Sequence, residues 1–199
     1  MSDPETIAVY DRRAQDYADR FSGLKEDRHL IAFIARLPAG APVLDLGCGP
    51  GQASARLAEA GFAVEAWDAA AGMVALAARL NGVTARQARF DDLRAQGVYG
   101  GIWANFSLLH APRQEFPVHL AAIFRALRPG GLLHLGMKTG TGQGRDRLGR
   151  AYSYYSIAEL EDFLGRSGLT VLSRSTGEDA GLAGPVEPWA ILLAEKPLA

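Results

Sequence analysis

Short apolar runs alternate with amphipathic stretches along most of this chain. Apolar runs bounded by turn residues predict buried strands, whereas apolar residues that recur every three or four positions predict helices. This alternation is typical of a doubly wound α/β fold, in which helices cover both faces of a mostly parallel sheet. The predicted strands cover residues 42–46, 62–67, 83–87, 101–105, 132–137, 169–173 and 189–194, and the predicted helices between them cover residues 52–60, 70–80 and 113–127.

The two ends of the chain depart from this alternation. Before the first strand the pattern predicts only helices, one that begins at Asp3-Pro4 and one over residues 27–37. An acid can cap a helix there, and proline suits the first helical turn. Near the other end, the capping-box sequence from Ser156 to Glu159 begins another helix. The last two strands have only a loop, residues 177–188, between them, so the final strand should pair antiparallel.

The length of 199 residues suits one domain, which we divide into four parts. The second part is expected to bind the ligand, because it contains the strand-and-helix alternation described above. The four parts are N-terminal cap helices over residues 1–38, a ligand-binding core over residues 42–137, a loop beside the predicted crevice over residues 138–155, and a C-terminal helix with the antiparallel strand pair over residues 156–199.

Composition changes this picture little. A hydrophobic share of 48% and a charged share of 22% are those of an ordinary globular protein. The formal net charge of -1 gives no electrostatic reason to expect nucleic acid or an anionic membrane as a partner. The single cysteine, Cys48, excludes an internal disulfide and suits a reducing compartment. With no apolar run long enough to span a bilayer and no basic and apolar signal region at the start, we expect a cytoplasmic location.

A glycine-rich turn follows the first predicted strand. Gly47, Gly49 and Gly51 stand at alternate positions, directly before a predicted helix. Glycine lets the backbone approach a ligand closely, and the helix directs free N–H groups to the same place. The sixth position of a dinucleotide-binding pattern counted from Gly47 is Gln52 rather than glycine or alanine, and no Lys-Ser or Lys-Thr pair completes a phosphate-binding loop. A nucleotide-like ligand other than a dinucleotide is therefore favoured, with an ordinary tight turn as the alternative.

An acid ends the second predicted strand. The carboxyl ends of adjacent strands open onto one crevice in a doubly wound sheet, so Asp68 should lie beside the glycine turn. Its carboxylate could accept hydrogen bonds from both hydroxyls of a ribose. The alternative is a purely structural role, as the cap of the helix that follows. The glycine turn and the acid together favour the ribose interpretation.

These residues carry a family resemblance. Residues 45–51 resemble the first motif of class I S-adenosylmethionine-dependent methyltransferases, and Asp68 with Met73 resembles the acid and the adenine-flanking residue of the family's second strand. The sequence Arg128-Pro129-Gly130-Gly131 resembles the turn before the family's fifth strand. The likeness is greatest to small bacterial members with a single domain. It implies a Rossmann-like methyltransferase fold, S-adenosylmethionine as cofactor and S-adenosylhomocysteine as product.

The resemblance also implies roles for single residues. Gly47, Cys48 and Gly49 correspond to the backbone against the methionine part of the cofactor, and Asp45 to the acid that orients the turn or the cofactor's ammonium group. Whether Asp91 or its neighbouring acid reaches the adenine stays open, because the sequence departs from the family's usual small-plus-acid pair. The other implied cofactor contacts are Asp68 at the ribose, Ala69, Met73, Phe90 and Asp91 at the adenine, Asn105 beneath the sulfonium and Tyr17 on a lid helix.

The methyl acceptor is expected on the far side of the cofactor. His110 follows the fourth strand and is a candidate for acceptor positioning or proton removal, with helix-start packing as the alternative. Residues 138–150 carry four basic side chains and one acid, so four minus one gives a charge of +3. Arginines and tyrosines bind anionic or aromatic molecules, whereas the alternative is a solvated surface loop. The predicted substrate-binding residues are Tyr10, Lys138, Arg145, Arg147 and Tyr152.

The function predicted from the sequence is methyl transfer to a small-molecule acceptor. Anionic and aromatic compounds are the two acceptor classes considered. No metal site is predicted. An RNA or protein methyltransferase is one alternative, although the near-zero net charge and the lack of an added RNA-binding domain disfavour RNA. A sensor that binds S-adenosylmethionine without catalysis is another, because the glycine turn and Asp68 indicate binding rather than transfer. A nicotinamide-dependent dehydrogenase is disfavoured by the glycine spacing.

Overall fold

The computed structural model describes residues 3–21 and 27–198. Residues 1–2, 22–26 and 199 of the predicted N- and C-terminal parts lie outside the described residues. The helices are α1 Pro4–Arg12, α2 Ala14–Phe21, α3 Arg28–Ile34, α4 Gln52–Glu59, α5 Ala71–Ala77, α6 Phe116–Ala126 and α7 Ile157–Arg166. The strands are β1 Pro42–Leu46, β2 Ala63–Asp68, β3 Val83–Gln87, β4 Tyr99–Asn105, β5 Leu127–Lys138, β6 Gln143–Arg145, β7 Ala151–Ser153, β8 Thr170–Ala180 and β9 Val186–Glu195.

Seven strands form one sheet in the order β3-β2-β1-β4-β5-β9-β8, and β6 pairs with β7 in a separate hairpin. The pairs from β3 through β5 are parallel, whereas β9 runs antiparallel to both of its neighbours. The predicted doubly wound α/β fold with an antiparallel last strand is therefore confirmed. The next strand in sequence, β2, pairs with one edge of β1, whereas β4 pairs with the opposite edge of β1. A crevice at the carboxyl edge follows from this reversal of strand order.

Alternation along the central strands distributes the core over the two faces of the sheet. Leu44 and Leu46 of β1 pack into a large cluster on one face, whereas Val43 packs into a second cluster on the other face. All three side chains are almost completely buried. Burial on both faces explains why β1 reads as a continuous apolar run, as strands of parallel sheets do. The core therefore holds the carboxyl edge of β1 in a fixed place.

The C-terminal half contains more strand than the sequence indicates. The predicted loop over residues 177–188 is mostly the continuation of β8 and β9, which pair from Thr170 to Ala180. Its side chains are largely exposed, so the apolar pattern that identifies a buried strand is missing. The predicted turn at residues 128–131 likewise lies within β5, which begins at Leu127. Residues 138–155 contain the β6–β7 hairpin and are not a plain loop.

Helix ends follow the sequence signals more closely. Asp3 caps α1 through a 2.8 Å hydrogen bond that its carboxylate accepts from the Thr6 backbone N–H. Both halves of the predicted capping box at Ser156 and Glu159 are present. The helix predicted over residues 113–127 begins later, at Phe116, with proline in its first turn. Across residues 3–21 and 27–198, every helix is too short or too polar to cross a bilayer.

Candidate functional site

The glycine turn is fixed between two strands. The N–H groups of Gly47 and Cys48 both donate to the Trp67 carbonyl oxygen, at 2.8 and 2.9 Å. Gly47 has a φ of +81°, and a Cβ atom there would lie 2.3 Å from the Cβ atom of Ser107. No other residue type fits this position without displacing the segment after β4. Ser107 in turn donates from Oγ to the Leu46 carbonyl at 2.5 Å. The turn is therefore a rigid strip of backbone at the carboxyl edge of the sheet.

Asp68 ties the turn to the second strand. Its Oδ2 accepts from the Gly49 N–H at 2.9 Å, and its Oδ1 accepts from the Ala70 N–H at 2.9 Å. Burial raises the pKa of this carboxyl group above its usual range, although the backbone donors oppose that shift. A carboxylate oxygen has two lone pairs, so each oxygen keeps one acceptor position. Asp68 can therefore orient the start of α5 and still accept hydrogen bonds from a ligand.

Asp45 and Cys48 lie behind the turn. Asp45 is only 2% exposed, and it accepts a 2.6 Å hydrogen bond from the Ser54 hydroxyl of α4. Burial raises the pKa of Asp45 to about 7, against the lowering effect of the Ser54 bond. The buried Cys48 thiol packs with Ala66 and Ala77, and burial raises its pKa. Both side chains support the turn from the protein side, and neither lines the cleft in front of it.

A cleft opens in front of the turn, above the carboxyl ends of β1, β2 and β4. Asp68 is its acidic lining residue beside the turn, and aromatic and aliphatic side chains form the walls. Predicted residues that line it are Tyr10, Tyr17, Gly47, Gly49, Asp68, Ala69, Met73, Phe90, Asn105 and His110. Phe106 and Ser107, which follow Asn105 in the segment that the resemblance places beneath the sulfonium, also line it. Lining residues that were not predicted are Asp3, Thr6, Ile7, Leu46, Trp67, Ala70, Ala88 and Arg89. Most of these lie within two positions of a predicted residue, so including the sequence neighbours of each predicted residue would have identified them.

Neither acid after the third strand lines this cleft. Asp91 lies in the 3₁₀ turn Phe90–Asp92, with its Oδ1 3.9 Å from Nδ1 of His119 on α6. Asp92 accepts a 2.8 Å hydrogen bond from the Arg89 N–H through its own Oδ2. The tight turn directs one acid to α6 and uses the other as a cap. Neither candidate for the adenine contact is thus placed at the cleft, whereas Phe90 is.

The first two helices cover the cleft. Asp11 of α1 accepts a 2.6 Å hydrogen bond from the Gly72 N–H of α5. A Cβ atom at Gly72 would lie 2.9 Å from the Asp11 carbonyl oxygen, so glycine permits this close approach. The rings of Tyr10 and Tyr17 meet edge to face, with centroids 5.9 Å apart. The two helices therefore form a lid whose tyrosines face the cleft.

A second cavity, of about 610 Å³, lies on the other side of the lid tyrosines. Its volume falls in the range of small-molecule sites, roughly 300–1,000 Å³. The wall that it shares with the cleft consists of Tyr10, Tyr17, Asn105, Phe106 and His110. Its remaining lining is Asp27, Arg28, His29, Leu109, Lys138, Arg150, Tyr152, Asp179, Ala180, Gly181, Leu182, Glu187, Trp189 and Ile191. Two cavities thus meet at one thin wall.

A chain of hydrogen bonds runs through that wall. Arg150 donates from Nη1 to the Tyr10 oxygen at 2.7 Å, and that oxygen lies 2.8 Å from Nε2 of His110. The other ring nitrogen, Nδ1, lies 2.7 Å from the Ala151 carbonyl oxygen. A carbonyl only accepts and an arginine only donates. His110 must therefore carry its proton on Nδ1, and the Tyr10 hydroxyl must donate to Nε2.

Burial lowers the pKa of His110 to about 4, so the imidazole is neutral at neutral pH. Arg150 is itself buried, and its guanidinium pairs with Asp146 at 2.6 Å. The Asp146 carboxylate therefore balances the positive charge that Arg150 places in the wall. The Arg150 donor on one side and the Ala151 carbonyl acceptor on the other leave Tyr10 and His110 each in one defined protonation state.

Phe106 and Asn105 complete the wall at the end of β4. Phe106 has a φ of +53°, a conformation that is costly for an aromatic residue and is seen most often at functional sites. Asn105 accepts a 3.0 Å hydrogen bond from Nε2 of His134 through its Oδ1. His134 is buried and stacks on Trp103, with ring centroids 3.5 Å apart. His134 is therefore a core residue that orients the Asn105 amide.

The predicted basic residues are mostly paired with acids. Lys138 forms an ion pair with Glu187 and lies over the Tyr152 ring, 4.2 Å from its centroid. Arg145 binds Asp3 at 2.7 Å and Glu5 at 3.1 Å, which joins the hairpin to the start of α1. Tyr10, Lys138 and Tyr152 line the second cavity, whereas Arg145 and the exposed Arg147 do not.

The chain matches known methyltransferases in sequence. The model of a family described as "Methyltransferase domain" matches residues 43–131. The chain is 34% identical over 143 residues to a cypemycin N-terminal methyltransferase from Streptomyces sp, which covers 68% of this chain and 57% of that protein. It is 33% identical over 135 residues to a malonyl-[acyl-carrier protein] O-methyltransferase from Enterobacter lignolyticus (strain SCF1), with coverages of 66% and 53%. The matched region thus spans little more than half the length of these relatives.

Solved structures share the fold. A Burkholderia thailandensis 1,6-didemethyltoxoflavin-N1-methyltransferase, with 1,6-didemethyltoxoflavin and S-adenosylhomocysteine bound, superimposes with a TM-score of 0.80 at 22% identity, over 97% of this chain and 88% of that chain. The DhpI–S-adenosylhomocysteine complex has a TM-score of 0.66 at 25% identity, over 97% and 96% of the two chains. This chain belongs to the class I S-adenosylmethionine-dependent methyltransferases.

S-adenosylmethionine is the cofactor that family membership assigns to the cleft, and the residues present fit it. Gly47 presents backbone where any Cβ atom would collide with Ser107. Asp68 keeps acceptor positions for hydroxyl groups, and Met73 and Phe90 supply apolar surface for a flat ring. Gly47, Gly49 and Asp68 are thus the residues that would hold the methionine part and the ribose, and the second cavity adjoins them across the shared wall.

Proposed function

We propose that this chain transfers a methyl group from S-adenosylmethionine to a small, uncharged aromatic acceptor in the second cavity. The observation that carries the proposal is the wall of Tyr10, Asn105, Phe106 and His110, because both cavities reach it. When bound, the cofactor supplies a methyl group on a sulfonium centre that is already a good leaving group. The protein then needs chiefly to align the acceptor and exclude water.

The lid supports the exclusion of water. Tyr10 and Tyr17 cover both cavities, and α1 is attached to α5 through Asp11 and to the hairpin through Arg145. The backbone N–H of Ala151 also donates to the Thr6 hydroxyl at 2.8 Å. Opening the lid breaks these contacts together, so ligand entry and lid movement are coupled in the proposed cycle. We assign Arg145 to this attachment rather than to the acceptor.

The charges of the second cavity favour an uncharged acceptor over an anionic one. Lys138 is neutralised by Glu187, and Arg150 by Asp146. At either of these two cations an anion would have to displace the carboxylate. Aromatic side chains are more available, since Phe106, Tyr152 and Trp189 all line the cavity. Flat rings pack well against such side chains. The related Burkholderia enzyme binds 1,6-didemethyltoxoflavin beside S-adenosylhomocysteine, which is consistent with an aromatic acceptor.

Proton removal is proposed to pass through Tyr10. His110 cannot take a proton from the acceptor directly while its Nε2 accepts from the Tyr10 hydroxyl. In the proposed step, the acceptor passes its proton to the Tyr10 oxygen, and the hydroxyl proton of Tyr10 moves to Nε2 of His110. Arg150 stabilises negative charge on the tyrosine oxygen. Because the pKa of His110 is about 4, this base suits an acceptor whose N–H or O–H is acidic or becomes acidic as the methyl group adds.

The test is a labelled-methyl assay against a panel of flat N–H heterocycles and phenols. We expect product with wild type, and about a hundredfold or greater loss of kcat in Tyr10→Phe and in His110→Gln, because general base catalysis contributes about 10²–10⁴-fold. Arg36→Lys on the outer surface is the matched control and should behave as wild type. Unchanged turnover in His110→Gln would remove the proposed role.

The same assay separates the other functions. Label in no compound of the panel, together with tight S-adenosylhomocysteine binding, would favour a sensor that does not catalyse methyl transfer. Label only in macromolecules of a cell lysate would favour a protein or RNA substrate, and RNase treatment would distinguish these two. Binding of NAD in place of S-adenosylhomocysteine would contradict the proposed function altogether.

A further inference from the structure

Three metal-ligating side chains meet outside both cavities. Glu115 directly precedes α6, and His119 lies one turn later within that helix. Asp91 approaches both residues from the 3₁₀ turn after β3. Nε2 of His119 is 3.7 Å from a Glu115 carboxylate oxygen, and Nδ1 is 3.9 Å from an Asp91 oxygen. One ligand atom from each residue lies within 4.8 Å of the other two.

The imidazole of this cluster is buried without a hydrogen-bond partner. His119 is only 3% exposed, and its Nε2 has no partner within the part of the chain that the structure describes. Leaving a buried polar group unsatisfied destabilises the folded state. Such a group calls for a physical explanation.

We propose that Asp91, Glu115 and His119 bind a divalent transition-metal ion, with zinc as the preferred ion. Zinc binds both imidazole nitrogen and carboxylate oxygen, and a water molecule would complete four-coordination here. Calcium and magnesium prefer all-oxygen sites, so the buried imidazole favours zinc or a similar ion. The carboxylates are partly exposed, at 40% for Asp91 and 36% for Glu115, which provides an entry path and a place for water.

The site would stabilise the wall of the cofactor cleft. The ring of Phe90 lies edge to face against His119, with centroids 5.5 Å apart, and Phe90 lines the cleft. A metal ion bridging Asp91 to α6 would hold the 3₁₀ turn that carries Phe90. It is a structural site in this proposal, separate from the methyl-transfer step, and does not depend on the proposed acceptor.

The test is equilibrium dialysis of zinc chloride against chelator-treated protein, with cobalt(II) absorption as a second readout. Wild type should bind one ion per chain and give a cobalt spectrum typical of four-coordinate geometry. Loss of outer-shell partners alone lowers metal affinity by about 10–100-fold, so removing a ligand in His119→Gln or Asp91→Asn should lower zinc affinity by at least tenfold. The matched control is Asp92→Asn, which changes the neighbouring acid and keeps an oxygen to cap Arg89.

Two results would overturn the proposal. One is equal zinc affinity in wild type, Asp91→Asn and Glu115→Gln, whose substitutions lie at partly exposed carboxylates and should leave the fold intact. The other is an NMR titration in which the His119 signal shifts with pH, as expected for an imidazole paired with the two carboxylates, and does not change when zinc is added. The second result would mean that a protonated imidazole occupies the cluster. S-adenosylhomocysteine binding by each variant shows that it is folded, independently of metal binding.

Discussion

The cofactor cleft and the acceptor cavity share a wall but are built in different ways. The cleft rests on backbone: the Gly47 and Cys48 N–H groups that donate to the Trp67 carbonyl, the Gly49 N–H that donates to Asp68, and the sheet beneath. The acceptor cavity rests on side chains from distant parts of the chain, such as Arg150 with Tyr10 and Lys138 with Glu187. Backbone on a parallel sheet gives a rigid cradle for one cofactor. Side-chain pairs at the lid can change partners, which suits a site that must open and can be altered for different acceptors.

The largest effect is expected from Gly47→Ala, which should disrupt the backbone that forms the cleft. A Cβ atom at a φ of +81° and 2.3 Å from Ser107 must displace the wall, so we expect no detectable S-adenosylhomocysteine binding and a loss of about 2–4 kcal/mol in the free energy of unfolding. Gly61→Ala is the matched control, since Gly61 has a φ of +90° and no atom within 4 Å of the added Cβ atom. It should cost about 1 kcal/mol and keep binding. Calorimetry and chemical denaturation measure both quantities.

A pH series on Asp45→Asn tests whether a buried carboxyl group supports the glycine turn. The folded-state pKa of Asp45 is raised from 3.8 to about 7, so the stability that it contributes is present below pH 3.8 and is lost as pH rises toward 7. Asparagine has no charge to bury and can still accept from Ser54. The free energy of unfolding of Asp45→Asn relative to wild type should therefore rise by about 2–3 kcal/mol between pH 5 and pH 8. A pH-independent difference would contradict the buried-charge explanation.

Asp68→Asn tests the acid of the cleft. Hydrogen bonds to a charged group contribute about 1.5–3 kcal/mol, so the variant should bind S-adenosylhomocysteine about 10–100-fold more weakly. Its fold should survive, because the amide oxygen can still accept from one backbone N–H. Titration calorimetry measures the affinity. Wild-type affinity in this variant would mean that Asp68 serves only to orient the turn and the start of α5.

The smallest effect is expected at the paired charges of the acceptor side. The double variant Lys138→Met, Glu187→Gln removes both members of an ion pair and leaves the aromatic walls in place. For an uncharged aromatic acceptor, kcat/KM should change little. For an anionic acceptor, loss of the lysine should lower kcat/KM by more than about tenfold, the effect expected for a charge-assisted hydrogen bond. Steady-state kinetics with the best acceptor of the panel distinguishes the two.

The sequence predicted the cofactor half better than the acceptor half, for a physical reason. Glycine spacing and Asp68 are local signals, and the parallel sheet brings their strand ends together. Side-chain directions were less predictable. Asp45 and Cys48 were selected with the turn, yet both lie behind it, where Asp45 bonds to Ser54 of α4 and Cys48 packs against Ala77 of α5. Their predicted cofactor roles stay predictions.

The acceptor half depends on long-range contacts that no local pattern encodes. The hydrogen bond from Arg150 to Tyr10 joins residues 140 positions apart. The sequence of residues 138–155 allows a solvated loop and contains no signal for the β6–β7 hairpin, because every residue of β6 is exposed. The same holds for His119 and Asp91, which only packing of α6 against the 3₁₀ turn brings together.

Titration of S-adenosylhomocysteine into wild type and into His110→Gln tests most directly whether the two halves are separate sites. The account predicts tight binding to both proteins, with affinities that agree closely, and methyl transfer by wild type alone. His110→Gln that binds S-adenosylhomocysteine as weakly as Asp68→Asn would contradict the account, because cofactor and acceptor would then depend on the same residues. Absence of binding to wild type would contradict it as well.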